Sequence, residues 1–447
     1  MSLMISVSGI RGIFGTDLTP ENLSQFTAGF GSWTGTGKVI VGRDTRVTGQ
    51  ICEDIVVATL QSVGCDVVKV GVAPTPTVAM AVHKHDADGA IIISASHNPE
   101  NWNALKLLNS KSEFLDAEQG QKVITTSKEQ TYSYKKFDEI GSVKTDEDAL
   151  DYHVQKILEL PYIDRDLIAS KDFSVAIDPV NGTGTIGIPA IFEALGVENI
   201  HSINDEPNGL FAHNPEPLPE YLEDICNLVK EHSCDIGVVT DPDADRLALV
   251  TNKGNLFGEE YTQATAFDFL LGKKSGPCAT NLSSSRVAED VAQKHGQQCY
   301  RSSVGEINVV KKMQEVDAVI GGEGNGGVIN PDLHYGRDSM VGIAMVLQLL
   351  AERDITSEEY RNTLPDYEMR KDKIQLSDVD GDAILKKTES IYTEYNPDTT
   401  DGVKVDFEDG WVHLRKSNTE PIIRVYSEGT SAQKAKELAD RVVAAVR

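Results

Sequence analysis

The stretch IIISASHNPENWNALKLL, residues 91–108, runs from an apolar strand straight into Ser94, Ser96, His97 and Asn98, with Lys106 ten residues after the second serine. A hydroxyl beside an imidazole invites a serine-hydrolase reading. That reading is poor, because the G-x-S-x-G elbow is absent and a triad's histidine ordinarily arrives from elsewhere in the chain. A serine at the mouth of a metal site can instead carry a phosphoryl group, which brings about −1.5 to −2 charges and three acceptor oxygens, one of them free to enter a cation's shell.

A metal site is offered by DPDADR, where Asp241, Asp243 and Asp245 follow the apolar strand DIGVVT (235–240) at a spacing of two. In an extended segment that spacing points all three carboxylates the same way. Three hard oxygen ligands suit Mg²⁺, which keeps positions open for water or phosphate oxygen. The bland alternative is a solvated acidic turn. An EF-hand is excluded, since Arg246 stands at its glycine position and Asn252 at its twelfth-position glutamate. A phosphatase of the haloacid-dehalogenase kind stays open, because an aspartate pair after an apolar strand also opens that site.

Two further loops fit an anionic sugar. RKSNTEP places Arg415, Ser417, Asn418 and Thr419 in a turn, with Arg424 close behind; small donors with arginine cradle phosphate, because a guanidinium pairs bidentately with its oxygens. GGEGNGG supplies Glu323 and Asn325 on a flexible backbone, able to accept from and donate to sugar hydroxyls. It lacks the spacing of a Walker or dinucleotide fingerprint. Taken singly, one loop reads equally as an exposed hairpin turn and the other as a mobile loop.

The elements that must position these loops alternate in α/β fashion. KVIVG (38–42) precedes a helix with Ile51, Ile55, Val56, Leu60 and Val63 assigned to one face, and DVVKVG (66–71) follows. Strands apolar throughout, each followed by a helix, suit a sheet covered on both faces. The pattern restarts at SVAID (174–178) and again before AVIGG (318–322), with helices expected around 285–295 and 306–314. After about residue 366 it changes to GVKVDFEDGWVHLR and PIIRVYSEG, then a helix with Ala435, Leu438, Ala439, Val442 and Val446 at helical spacing. The expected domains are 1–150, 151–253, 254–365 and 366–447, the last a smaller α+β unit. Three strands end in unusual chemistry, and ligands of open α/β sheets bind outside such carboxyl ends.

Composition bounds the partners. The 447 residues carry 42 basic and 69 acidic side chains, a net charge of −27, which argues against nucleic acid as a partner and requires any site for an anionic substrate to be locally basic. No apolar run approaches the roughly 18 residues of a membrane span. Six cysteines show no zinc spacing, so reduced thiols and a cytoplasmic location are expected. The second methionine, Met4, suggests that Met1 to Leu3 are an added leader.

In order and spacing, over essentially its whole length, the chain resembles the α-D-phosphohexomutase superfamily. SASHNP is similar to that family's phosphoserine loop, DPDADR to its metal loop, GGEGNGG to its sugar-binding loop and RKSNTEP to its phosphate-binding loop; SGIRG (8–12) and GRDTR (42–46) are similar to its N-terminal motifs. The resemblance implies three related α/β domains with mixed sheets plus a C-terminal α+β domain, TATA-box-binding-protein-like, around a central cleft. It implies reversible phosphate transfer between the 6- and 1-positions of a hexose through a phosphoserine and a bisphosphorylated sugar, with Mg²⁺ as cofactor and a hexose 1,6-bisphosphate as activator. By the same resemblance Ser96 carries the phosphoryl group, and Asp241, Asp243 and Asp245 bind Mg²⁺ together with a Ser96 phosphate oxygen. Arg11 and Lys106 take acid/base roles, Arg246 supports substrate and phosphoserine, and Glu323 and Asn325 meet the sugar. Arg415, Ser417, Asn418, Thr419 and Arg424 grip the phosphate that is not transferred. Closure of the last domain and a monomer or homodimer are expected.

The chain also departs from that pattern. Its sugar loop reads Glu-Gly-Asn-Gly-Gly where many relatives have Glu-x-Ser-Gly-His, so Gly327 stands at the histidine position. ISASHNP and TEPIIRVYSE lean towards the glucosamine-phosphate branch over the glucose and mannose branches. From a different class, a metal-dependent sugar phosphatase would use Asp241 as nucleophile. A noncatalytic phosphosugar-binding module would not need both a phosphate carrier and a metal triad.

Overall fold

The computed structural model describes residues 3–6, 9–376, 380–417 and 422–446. The chain divides into two compact units, Met1–Thr262 with Asn325–Arg361, and Gln263–Gly324 with Asn362–Arg447. Residues 254–365, expected as one domain, contribute to both.

In the first unit the run Gly89–Ile93 is buried throughout because it occupies the centre of a seven-stranded mixed sheet. From edge to edge the strands are Met4–Ser6, Gly9–Ile13, Trp102–Asn109, Gly89–Ile93, Lys38–Arg43, Asp66–Val72 and Val143–Thr145. Gly89–Ile93 is parallel to Lys38–Arg43 and antiparallel to Trp102–Asn109. Alternate side chains enter opposite cores, as strand geometry requires: Ile91 and Ile93 pack with Leu23, Phe30, Val56 and Leu60 from helices Pro20–Trp33 and Gly49–Val63. Ile92 packs with Val78, Ala81 and Val82 of helix Thr75–His85 on the other side.

The Gly49–Val63 helix corrects one expectation. Ile51 is 51% exposed, and the buried face carries Cys52, Val56, Leu60 and Val63. Ile51 lies about 100° round the helix from Cys52, and the 3.6-residue period selects the cysteine.

A second sheet of the same unit orders Leu247–Thr251, Ile236–Thr240, Ser174–Asp178 and Asn199–Ser202, again mixed. Helix Ser339–Arg353 is buried on nearly every side, which an all-round apolar sequence demands. Asp338 caps its N-terminus, accepting from Met340 N at 2.8 Å and Val341 N at 3.2 Å.

The second unit holds a parallel set, Cys299–Ser302, Cys278–Asn281 and Ile320–Glu323, with helices Val287–Lys294 and Glu306–Glu315. It also holds an antiparallel sheet ordered Glu368–Gln375, Ile422–Gly429, Gly410–Lys416 and Val403–Phe407. The final helix, Ala432–Val446, buries Ala435, Leu438, Ala439, Val442 and Val446, the face read from the sequence.

One side chain ties the exit of Lys38–Arg43 to the exit of its neighbour. Arg46, fully buried, pairs with Asp44 at 3.0 Å and donates to four carbonyls: Ser96 at 2.6 Å, Asn98 at 2.7 Å, Pro99 at 2.5 Å and Trp102 at 3.1 Å. The loop carrying Ser96 is thereby clamped through its backbone. Arg46→Met strands a buried carboxylate and leaves those carbonyls short of a donor, so stability is expected to fall by about 3–5 kcal/mol. Urea unfolding checks this; a loss under about 1 kcal/mol would mean the loop is held otherwise.

Candidate active site

Ser96 leaves its strand in a strained conformation, with φ +50°, a region non-glycine residues avoid. The strain is held by local bonds: its N–H donates to Ser94 Oγ at 3.0 Å, and Arg46 takes its carbonyl. Its hydroxyl donates to Asp241 Oδ2 at 2.9 Å, across 145 residues of sequence. His97 Nδ1 lies 3.3 Å from the same hydroxyl. Burial, then the charges of Arg246, Arg11, Arg337 and Lys106, push the imidazole down to about 2. His97 is therefore neutral at working pH.

The three aspartates converge, but by a different route from the extended spacing expected. Ala244 has φ +53°, and its N–H returns to Asp241 O at 3.0 Å, so a tight turn replaces the alternating strand. Ligand atoms of Asp241, Asp243 and Asp245, all buried, lie within 4.8 Å of one another. Burial, then Asp245 and Asp243, push the Asp241 carboxyl well above its ordinary value. Burial works the same way on Asp243, but Lys106, Thr75 and Arg337 outweigh it and hold that carboxyl low.

The cations around them come from distant elements. Lys106 sits in strand Trp102–Asn109, paired to Ile92 on one side and Gly9 on the other. Its Nζ reaches Asp243 Oδ2 at 2.5 Å and Asp245 Oδ2 at 3.5 Å. Burial opposes its charge, but Asp243 and Asp245 outweigh burial and raise it. Arg11, on the next strand, donates to Asn98 Oδ1 at 2.8 Å; burial, opposed by Asp243, leaves its guanidinium below the usual value. Arg246 Nε stands 3.8 Å from Asp241 Oδ2 and 3.9 Å from Asp245 Oδ1, and its Nη1 lies 3.5 Å from Glu216. A cleft of about 600 Å³ beside this loop is lined by His97, Pro99, Phe211, His213 and Glu216.

The donor set fits a hard divalent cation. Asp243 Oδ1 and Asp245 Oδ1 are buried without a hydrogen-bond partner, so each has an acceptor direction open, and the triad can hold a metal through carboxylate oxygens alone.

Sequence reasoning missed two contributors to this cluster. Thr75 opens a helix and donates to Asp243 Oδ2 at 2.5 Å. Arg337 donates to Asp245 Oδ2 at 2.7 Å. Neither stands in a motif that announces a site; only the helix-cap aspartate beside Arg337 is a readable signal. Asn325 belongs to the same unit, where its Oδ1 accepts from Gly327 N at 3.2 Å.

Glu323, Arg415, Ser417 and Arg424 belong to the second unit. Glu323 is buried and accepts from Asn281 Nδ2 at 2.9 Å. Arg415 and Arg424 are cross-strand partners, and burial lowers Arg415 from its usual value. Ser417 N bonds Ile422 O at 3.0 Å. Arg424 lines a cleft of about 480 Å³ with Lys371, Lys373 and Tyr426. Asn418 and Thr419 lie outside the described residues. Among the described residues, no helix is long and apolar enough to cross a membrane.

Comparison with known proteins finds matches along nearly the whole chain. Four phosphoglucomutase/phosphomannomutase family models match in order: alpha/beta/alpha domain I at residues 3–134, domain II at 151–254, domain III at 259–367 and the C-terminal domain at 370–445. A phosphoglucomutase/phosphomannomutase of Thermococcus kodakarensis is 36% identical over 98% of this chain and 97% of its own. A probable phosphoglucosamine mutase of Methanopyrus kandleri is 35% identical, covering 100% and 98%. Among solved structures, a phosphoglucomutase/phosphomannomutase family protein of Burkholderia thailandensis superposes with a TM-score of 0.86 at 24% identity, covering 99% of this chain and 98% of that one. With serine, aspartates and flanking cations gathered on that fold, the chain belongs to the phosphoglucomutase/phosphomannomutase family.

Proposed function

We propose that this phosphohexomutase interconverts hexose 6-phosphate and hexose 1-phosphate through a phosphoserine at Ser96, with glucosamine phosphate as its preferred sugar. The observation that carries the reading is the 2.9 Å bond from Ser96 Oγ to Asp241, because it joins a phosphate carrier to a buried carboxylate triad. For this reading the domains are proposed as 1–150, 151–253, 254–365 and 366–447. Six free cysteines support a reducing, cytoplasmic setting.

The first transfer forms a bond from a sugar oxygen to phosphorus as the bond from phosphorus to Ser96 Oγ breaks; the second re-forms the phosphorus–Oγ bond as the bond to the sugar oxygen at the other position breaks. Such chemistry needs positioning and charge neutralisation more than covalent help from the protein. Asp241, Asp243 and Asp245 with a Ser96 phosphate oxygen would hold Mg²⁺, which supplies part of that neutralisation. Lys106, which its aspartates hold in the charged form, and Arg11 stand as the groups nearest the reacting hydroxyl in acid/base roles, and both bring positive charge to the transferring group. Arg246 supports substrate and phosphoserine, Glu323 and Asn325 take the sugar hydroxyls, and Arg415, Ser417, Asn418, Thr419 and Arg424 take the other phosphate. A hexose 1,6-bisphosphate would recharge the serine.

Ser96→Ala is expected to cut mutase turnover by a factor of about 10³ or more, since no other group carries the phosphoryl. A variant that kept releasing phosphate from the sugar would instead make Asp241 the nucleophile of a phosphatase. Intact mass of wild type primed with bisphosphate should rise by about 80 Da, and the alanine variant should show no gain.

Chelation should abolish turnover and Mg²⁺ should restore it, with Asp243→Asn losing the response. Measured on glucosamine, glucose and mannose 1-phosphates with catalytic bisphosphate present, kcat/KM is expected to be highest for glucosamine. A higher value on mannose or glucose would move the enzyme to that branch.

A further inference from the structure

Gly327 stands where the sugar-loop pattern has histidine, and its backbone does not require glycine: it is absent from the positive-φ residues, while Gly326 beside it has φ +86°. The requirement is spatial. A Cβ on Gly327 would lie 2.3 Å from Cδ and 2.9 Å from Cγ of Arg337, inside any real carbon contact. The stem of Arg337 fills the volume a side chain at 327 would need.

Three consecutive residues then divide the work. Arg337 Nη2 donates to Asp245 Oδ2 at 2.7 Å, and Ser339 Oγ reaches the carbonyl of Ala244, the strained residue of the aspartate turn, at 2.6 Å. Asp338 faces elsewhere. Its Oδ1 caps helix Ser339–Arg353, while its Oδ2 accepts from His153 Nε2 at 2.8 Å and lies 3.3 Å from His334 Nε2. Both ends of that carboxylate are fixed in a buried setting, and Asp338 N bonds Val328 O at 2.9 Å. Arg337 is thus carried on an anchored backbone, and little freedom is left to its guanidinium.

We infer that Arg337 is a positioning residue of the phosphoryl-transfer site: with its stem in the space that Gly327 leaves open, it holds Asp245 and places a fixed positive charge beside the aspartates. The inference rests on the metal and phosphoserine reading above. A guanidinium beside a cation site has two opposed effects. It orients a ligand and neutralises the transferring group, yet it repels the cation.

Those effects separate in the variants. In full-length protein, Mg²⁺ affinity is read by titration calorimetry and turnover by the mutase assay. Arg337→Gln keeps an amide donor and removes the charge, so kcat should fall roughly tenfold while Mg²⁺ binding tightens by roughly three- to tenfold. Arg337→Lys, keeping the charge, should recover most of the wild-type Mg²⁺ affinity. Gly327→Ala should lower turnover in the wild-type background and cost little in Arg337→Ala, because the collision is then gone.

Weaker or unchanged Mg²⁺ binding in Arg337→Gln, or an equal cost of Gly327→Ala in both backgrounds, overturns the inference. Asp243→Asn separates the two levels. If it abolishes Mg²⁺ binding while the Arg337 results fail, only this inference falls; if it binds Mg²⁺ like wild type, the metal reading falls and takes the inference with it.

Discussion

Three buried carboxylates within 4.8 Å of one another are the constraint from which the first unit is organised. Carboxylates that close cannot all ionise in a dry interior without compensation, and an uncompensated buried charge costs several kcal/mol. The compensation visible here is a shell of cations, each delivered by a different element: Lys106 from a central strand, Arg246 from the turn itself and Arg337 from the start of a buried helix. Their effect is uneven. Asp243, bonded to Lys106 and Thr75, is held low, while Asp241 is pushed up by burial and then by Asp245 and Asp243. The carboxylate left in deficit is the one that meets the Ser96 hydroxyl.

Bringing that hydroxyl to the aspartates costs backbone strain on both sides of the contact. Ser96 and Ala244, neither of them glycine, have φ +50° and φ +53°, conformations that cost on the order of 1–3 kcal/mol each. Both are over-determined by hydrogen bonds. Arg46 and Ser94 hold the serine, while Asp241 O and Ser339 Oγ hold the alanine. Strain kept at two touching loops, with its support drawn from neighbouring elements, preorganises a serine oxygen against a carboxylate triad. Flexible loops would leave this geometry to chance.

What the sequence disclosed divides along the same physical line. Local pattern was readable: the apolar run that leads into Ser94, the strands within SVAID and AVIGG, and the face of the last helix all follow from the pattern within one element. The identities of Ser96 and the aspartates were readable too, because unusual polar residues directly follow buried strands. Partner choice was not. Thr75 meets Asp243 across 168 residues and Arg337 meets Asp245 across 92, and nothing in either local string fixes such a contact. The helix face containing Ile51 failed for a milder reason, since a buried cysteine satisfies the period as well as an isoleucine does. The aspartate turn shows that a correct outcome can rest on the wrong geometry: alternate spacing suggested convergence, but a left-handed Ala244 produces it.

Charge counting explains why the cationic shell exceeds the triad. Lys106, Arg246, Arg337 and Arg11 all act on the aspartates, and Glu216 meets Arg246 at 3.5 Å, so four cations face the three aspartates and one further carboxylate. A phosphoryl group on Ser96 adds about −2, and a divalent cation returns +2. The buried total is then nearly the same with both present as with neither, whereas either alone shifts it by about two units in a low-dielectric setting. On the proposed function, phosphate on the serine and metal on the aspartates would be coupled states, each favouring the other, as binding linkage requires. The cationic shell serves a further end. In a chain of net charge −27 an anionic sugar phosphate is repelled from most of the surface, and a locally cationic site gives it a favourable place to bind.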